Sequence, residues 1–272
     1  MSRSILTVPV SRIEDRSATT FQDLLAVEEP LEIRLGGKTV SITMRTPGND
    51  FELAAGFLFT EGILTGRDQI GVISHIQNKT NPRQAGNSVS VELKANAEID
   101  FNRLERHFYM SSSCGVCGKA SIEALEVQGC PMLPRDGLLA SADVIHSLPD
   151  ALRQQQAVFE STGGLHAAAL FDVAGKLTSL REDVGRHNAL DKLIGAEFLA
   201  GRTPLAGRMV LVSGRTSFEL VQKCLVAGIP LLAAVGAPSS LAVELARRFQ
   251  MTLLGFVRDR RFNVYSGGWR IR

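Results

Sequence analysis

The chain has 272 residues, 44% of them hydrophobic and 21% charged, and a formal net charge of +2. That balance is ordinary for a globular protein and excludes a disordered or fibrous chain. The near-neutral charge gives no argument for nucleic acid. Residues 1–10 lack the apolar core and cleavage site of a signal peptide. No apolar stretch approaches the roughly 20 residues needed to cross a bilayer, because 224–235, the longest candidate, is interrupted by Gly228 and Pro230. A cytoplasmic protein away from the membrane is therefore expected. Its four cysteines, Cys114, Cys117, Cys130 and Cys224, are too few for a disulfide framework.

In chain order, Leu31, Ile33 and Leu35 alternate with polar neighbours, Gly36-Gly37 follows, and Val40, Ile42 and Met44 alternate again. This predicts a β-hairpin with glycine at the turn. Asn49 and Glu52 predict a capping box at the start of a helix running to about Glu61. Short strands are expected near 72–77 and 89–93, separated by a polar loop at 78–88. Residues 110–121 offer no apolar face and read as an exposed loop, followed by a proline-containing linker at 129–137. From Ser141 onward helices and strands alternate. Helix is expected over 142–159, broken at Pro149, then strands at 165–171 and 176–181 joined at Gly175. An amphipathic helix at 185–199 follows, then strand 209–212, helix 218–227, strand 231–235, helix 239–249, and strands 252–257 and 262–265. Short apolar strands alternating with helices predict an α/β layer on a mixed or mostly parallel sheet. The organisation expected is α+β overall: a small N-terminal α+β domain over 1–110, a cysteine loop and linker over 111–137, and an α/β domain over 138–272.

Cys114-Gly-Val-Cys117 carries the sharpest chemical signal. Two thiols at that spacing can exchange sulfur, form a disulfide or share a metal, and Lys119 favours the reactive thiolate. Half of a structural zinc site is the bland alternative. It would have to recruit scattered ligands such as Cys130, His107 or His166, since no second Cys-x-x-Cys exists. A thioredoxin-like site fits less well, because the pair follows a serine run and precedes Gly118 rather than opening a helix after a strand. Cys224 reads as a buried small hydrophobe, and Cys130 has no assigned role. His166 and His187 sit at a strand start and a helix start, either as structural histidines or as site residues. Arg181-Glu182-Asp183 beside them could belong to a site or to a salt-bridged corner.

Ser213-Gly-Arg-Thr-Ser217 lies between a strand and a helix, where free N–H groups and Arg215 suit an anion. It is not a P-loop, and capping by Thr216 or Ser217 is the plain alternative. Gly236-Ala-Pro-Ser-Ser240 repeats the arrangement after the next strand. The segment Phe256, Val257, Arg258, Asp259, Arg260 and Arg261 concentrates arginine, the preferred partner of phosphate, although a charge run is commonly a solvated face.

Together, Ser113-Cys-Gly-Val-Cys-Gly118, Thr162-Gly-Gly-Leu-His166, Glu182-Asp-Val-Gly-Arg-His-Asn-Ala189, Ser213-Gly-Arg-Thr-Ser217 and Gly255-Phe-Val-Arg-Asp-Arg-Arg-Phe-Asn-Val-Tyr265 resemble the FdhD family. These are sulfur carriers required for formate dehydrogenase maturation. The resemblance implies a larger domain similar to cytidine deaminase, with three layers. It implies that a cysteine desulfurase loads a persulfide onto Cys114, with Cys117 as relay or resolving partner. The sulfur would then pass to the molybdenum of a bis(molybdopterin guanine dinucleotide) cofactor before that cofactor enters formate dehydrogenase. Residues 256–261 match the family's cofactor-binding segment, and guanine nucleotides could occupy the same pocket. A homodimer would offer two guanine pockets, and no permanent metal is implied. Zinc deaminases pair a His-x-Glu ligand and base with Pro-Cys-x-x-Cys. Here Ala168 stands where the glutamate would follow His166, and no Pro-Cys-x-x-Cys follows. The rival readings are a zinc hydrolase or deaminase with unusual ligands, and a chaperone that only holds the cofactor.

Overall fold

The structure, a computed structural model, describes residues 4–76, 86–95, 97, 130 and 132–272. Its centre is a six-stranded mixed sheet formed by β7 (His166–Phe171), β8 (Leu177–Asp183), β9 (Met209–Val212), β10 (Leu231–Ala234), β11 (Thr252–Arg258) and β12 (Arg261–Ser266). The order across the sheet is β8-β7-β9-β10-β11-β12. Strands β9, β10 and β11 are parallel, while β7, β8 and β12 join antiparallel.

Alternate residues of these strands face opposite ways, as the two-residue period of a strand requires. Ala168, Leu170, Val210, Val212, Leu232 and Leu253 pack under α4 (Arg186–Leu199), α5 (Phe218–Val226) and α6 (Ser240–Arg248). Ala169, Phe171, Leu211, Ala233 and Leu254 pack under α2 (Ala142–Arg153). The result is three layers in which the central strands β7, β9 and β10 are buried on both faces, which is why they are short and almost wholly apolar.

A four-stranded sheet, in the order β4-β3-β6-β5, precedes it. It is formed by β3 (Glu29–Leu35), β4 (Lys38–Arg45), β5 (Ile70–His75) and β6 (Ser88–Leu93), with α1 (Asp50–Thr60) packed on its inner face through Leu53, Ala54 and Leu58. Helix α1 also lies against α4 at backbone contact. A Cβ on Gly56 would stand 1.9 Å from the Asp191 carbonyl oxygen, and one on Gly195 would stand 1.9 Å from that of Glu52. Only glycine permits that approach. One hydrophobic cluster therefore runs from Leu31 and Ile33 through α1 and α4 to Leu253.

Charged pairs are buried along the same seam. Lys192 meets Asp183 at 2.7 Å, and the two contact the Thr46 carbonyl and amide respectively. Lys223 bridges Asp191 and Glu61. Arg45 holds Asp50 with two hydrogen bonds of 3.0 and 3.1 Å.

Several expectations change. Helix α4 is not amphipathic: residues 188–195 are all buried, because α1 covers the side that would otherwise face solvent. Asn49 adopts a left-handed conformation without a side-chain cap. Glu52, the other half of the expected capping box, instead receives the Arg181 guanidinium at 2.8 Å. Pro149 lies inside α2, held by buried Ile145, Leu148 and Leu152 on either side, and the break falls later, before α3 (Ala157–Thr162). The Glu182 carboxylate accepts the Val158 and Phe159 amides at the start of α3.

Residues 132–137 are pinned rather than loose. The Leu133 amide donates to Phe249, and Arg270 donates to the Pro134 carbonyl. An unforeseen hairpin, β1 (Ile5–Glu14) and β2 (Ser17–Ala26), pairs over its full length and exposes most of both faces. The expected Cys114-x-x-Cys117 loop, Lys119 and His107 lie outside the described residues.

Candidate functional site

Because β9, β10 and β11 are parallel, their C-terminal ends finish side by side, and each is followed by a turn. The three turns are laced together. The Gly236 amide donates to the Gly214 carbonyl at 3.1 Å, Thr216 to Ala237 at 3.1 Å, Ser239 to Thr216 at 2.9 Å and Phe256 to Gly236 at 3.1 Å. A Cβ on Gly236 would stand 2.9 Å from the Gly214 carbonyl oxygen, so the contact between the first two turns depends on that glycine. Since β7 runs antiparallel to β9, the same sheet edge also receives His166 at the start of β7. Asp183 ends β8 beside it, opposite His166 in the strand register. The outer ends of open α/β sheets are where such proteins bind ligands.

The two turns expected to bind an anion are thus neighbours, although several of their amides are already engaged. The N-termini of α6 and α5 differ. Ser239 caps α6 by accepting the Ala242 amide at 3.2 Å. Ser217 makes no such cap on α5; its hydroxyl lies 3.2 Å from His187 Nε2 at the start of α4. The Glu219 carboxylate accepts its own amide in the first turn of α5, beside exposed Arg215. The Thr216 hydroxyl is buried and has no hydrogen-bond partner among the described residues.

His166 packs against Gly214, where a Cβ would come within 3.2 Å of its Nδ1. Its pKa is lowered by burial and by the positive charges of Arg186 and His187, with Asp183 opposing. His166 and His187, separate in sequence, therefore meet at one place. Glu219, in the first turn of α5, joins them, with its Oε2 3.8 Å from His187 Nε2. His187, and then Ser217, hold the Glu219 carboxyl down at about 2.

The arginine segment follows the third of the parallel strands and leans on α2, through Arg260–Asp143 and Phe262–His146. Residues 256–261 are the end of β11, a two-residue turn and the start of β12, with Arg258 paired to Arg261. Asp259 and Arg260 both have positive φ, 51° and 53°, the signature of a type I′ turn normally given to Asn-Gly. Phe256 also has positive φ, 55°, and sits within a register shift between Gly255 and Arg258. Such strain collects at binding sites, and a bulge re-aims the side chains beyond it. Val257 is buried, whereas Arg258, Asp259, Arg260 and Arg261 are exposed. Their ion pairs, Arg258–Asp259 at 3.9 Å, Arg261–Asp259 at 4.0 Å and Arg260–Asp143 at 3.5 Å, are all at the surface and hold the guanidiniums only weakly.

Arg181, Glu182 and Asp183 form the salt-bridged corner, with Glu52, the α3 amides and Lys192 as their partners. Cys224 is fully buried, and burial pushes its thiol pKa far up. Burial pushes Cys130 up to about 11, leaving it little thiolate at neutral pH. Among the described residues, no three His, Cys, Asp or Glu side chains are grouped to hold a metal. Glu219 was missed from sequence; the only local signal is a carboxylate two residues after the Ser213–Ser217 motif.

The model of the FdhD/NarQ family matches residues 26–272. The chain belongs to the FdhD/NarQ family. Its FdhD relatives include the sulfur carrier protein FdhD of Streptomyces avermitilis, 50% identical over 264 residues that cover 96% of this chain and 94% of that one. That of Mycobacterium tuberculosis is 48% identical, covering 93% of each chain. A solved structure described as a formate dehydrogenase accessory protein from Desulfotalea psychrophila superposes with a TM-score of 0.75 at 25% identity, covering 99% of this chain and 100% of that one. The hairpin β1–β2 lies almost wholly before the span matched by the FdhD/NarQ model, yet within the length shared with that structure.

Proposed function

We propose that this chain is a cytoplasmic sulfur carrier for formate dehydrogenase maturation. It takes persulfide sulfur from a cysteine desulfurase on Cys114-Gly-Val-Cys117 and delivers it to a bis(molybdopterin guanine dinucleotide) cofactor bound as substrate. The observation that carries this reading is the convergence of the Arg215 turn, the Gly236 turn and the arginine hairpin on one sheet edge, in a chain whose relatives are named sulfur carriers. Exposed guanidiniums with weak partners suit the phosphates of a dinucleotide. No helix among the described residues is long and apolar enough to cross a membrane.

The chemistry balances within the cysteine pair. The Cys114 thiolate attacks the terminal sulfur of the donor persulfide, the donor S–S bond breaks, and the donor cysteine leaves as a thiolate. No net oxidation occurs in that step. Delivery of sulfide needs two electrons. Attack of the Cys117 thiolate on Cys114 of the persulfide supplies them, forming a Cys114–Cys117 disulfide as sulfide departs to the metal. A thiol reductant then reopens the disulfide. The cofactor supplies the metal that receives sulfide, and this chain's arginines and turns hold its nucleotide ends. A symmetric dimer would present two guanine pockets to a ligand with two guanines.

The test is genetic. Cys114→Ala and Cys117→Ala, each expressed in cells lacking the native protein, should leave formate dehydrogenase inactive although the variants accumulate. Full activity with either variant would contradict sulfur transfer and favour a protein that only holds the cofactor. Stoichiometric zinc in the purified protein, lost on Cys114→Ala, would instead support the zinc enzyme.

A further inference from the structure

We infer that the β1–β2 hairpin is an arm through which two copies of this chain associate, one face of the arm stacking on the same face of its two-fold mate. The inference gives a contact surface to the symmetric dimer proposed above and rests on that dimer. Strands β1 and β2 pair only with each other, over the full length of both and without a shift in register. They form a ribbon roughly 34 Å long. Its foot is fixed to the body. There the Val27 amide donates to the Ser4 carbonyl at 2.9 Å, and the Ala26 Cβ lies 3.5 Å from where a Cβ on Gly164 would stand. Beyond the foot most of both faces is exposed. A two-stranded ribbon standing in water is marginal by itself.

Opposite residues of an antiparallel pair share a face, and every second pair returns to it. One face therefore carries, from foot to tip, the pairs Val8–Asp23, Val10–Phe21 and Arg12–Thr19. The next pair toward the foot, Leu6–Leu25, is apolar and 53% and 43% exposed. The Arg12 guanidinium lies 4.5 Å from the centroid of the Phe21 ring, with its side chain 58% exposed. Asp23 accepts the Leu24 amide at 2.9 Å and makes no ion pair among the described residues. The charges are thus antisymmetric about Val10–Phe21, with the acid one row toward the foot and the cation one row toward the tip. A copy stacked antiparallel, with the two-fold axis at that central pair, sets Asp23 beside the partner's Arg12 and Arg12 beside the partner's Asp23. The apolar side chains lie between. A parallel copy would bring the two arginines together and the two acids together. An isologous contact requires such self-complementarity, and matched opposite charges select the antiparallel arrangement.

The test is sedimentation velocity of the full chain from about 1 to about 100 μM. The samples are the wild type, Arg12→Asp, Asp23→Arg and an equimolar mixture of the two variants, with thermal melting to check that each is folded. Each variant alone opposes like charges twice across the axis and should weaken the dimer about tenfold or more. In the mixture each variant meets the opposite charge on the other, so association should return to within about threefold of the wild type. No contact within a single chain produces that rescue. A variant dimer as tight as the wild type, or a mixture no tighter than its components, overturns the arm contact and leaves the dimer to another surface. A wild type that is monomeric throughout overturns the dimer itself and the inference with it.

Discussion

The polar residues of this chain separate by what they touch. Lys192 and Asp183 are 1% and 0% exposed as residues, meet at 2.7 Å and share Thr46 as a common partner. Removing one member of such a pair strands the other charge in a dry interior. Lys192→Met should therefore cost about 3–5 kcal/mol in urea unfolding, and an unchanged midpoint would show that water reaches the pair. Glu219 behaves differently because it is more than half exposed. Its folded pKa of about 2 lies below its ordinary 4.5. The ionised form thus contributes stability fully above about pH 4.5, and that contribution is lost as pH falls toward 2. With solvent screening the effect is below about 1 kcal/mol. The melting temperatures of wild type and Glu219→Gln should converge as pH falls from about 4.5 to about 2, and a gap that widens there would reverse the assigned sign.

At the scale of elements, the contact between α1 and α4 decides how the four-stranded sheet is held. Gly56→Ala or Gly195→Ala places a methyl group against backbone on the facing helix. Each should destabilise the protein by about 3 kcal/mol or more by forcing the helices apart, measured by denaturant unfolding of the purified variants. The sequence shows these two glycines but not that they face one another, so it predicts an amphipathic helix where α4 is buried. The same blindness to distant partners explains Glu52, whose spacing from Asn49 fits a capping box while its carboxylate is held by Arg181, 129 residues away. Local signals fared better where the partner is also local. The β3–β4 hairpin follows from alternation around Gly36-Gly37, and β7 and β8 follow as two strands joined by the Gly175 turn. The β1–β2 hairpin escaped because its apolar residues lie on both faces, with Pro9 inside the first strand.

For the molecule as a whole, the sheet edge was legible in pieces and not as a place. The Ser213 turn, the Gly236 turn, the two histidines and the arginine segment were each visible as residue patterns. Only the strand order, with β9, β10 and β11 parallel and β7 reversed beside them, brings them to one end. A site built at the ends of four strands cannot be read from spacing along the chain. In the proposed function, that end of the sheet holds the cofactor's nucleotides and the cysteine pair carries the sulfur delivered to it. That division makes loading of sulfur the step on which the account stands. It is measured by incubating the full chain with a cysteine desulfurase and cysteine and weighing the intact protein by mass spectrometry. The account predicts an adduct of about 32 Da, one sulfur atom, removed by a thiol reductant and mapped by peptide analysis to Cys114 or Cys117. No adduct from an active desulfurase, or one that persists in the Cys114→Ala, Cys117→Ala double variant, would contradict it.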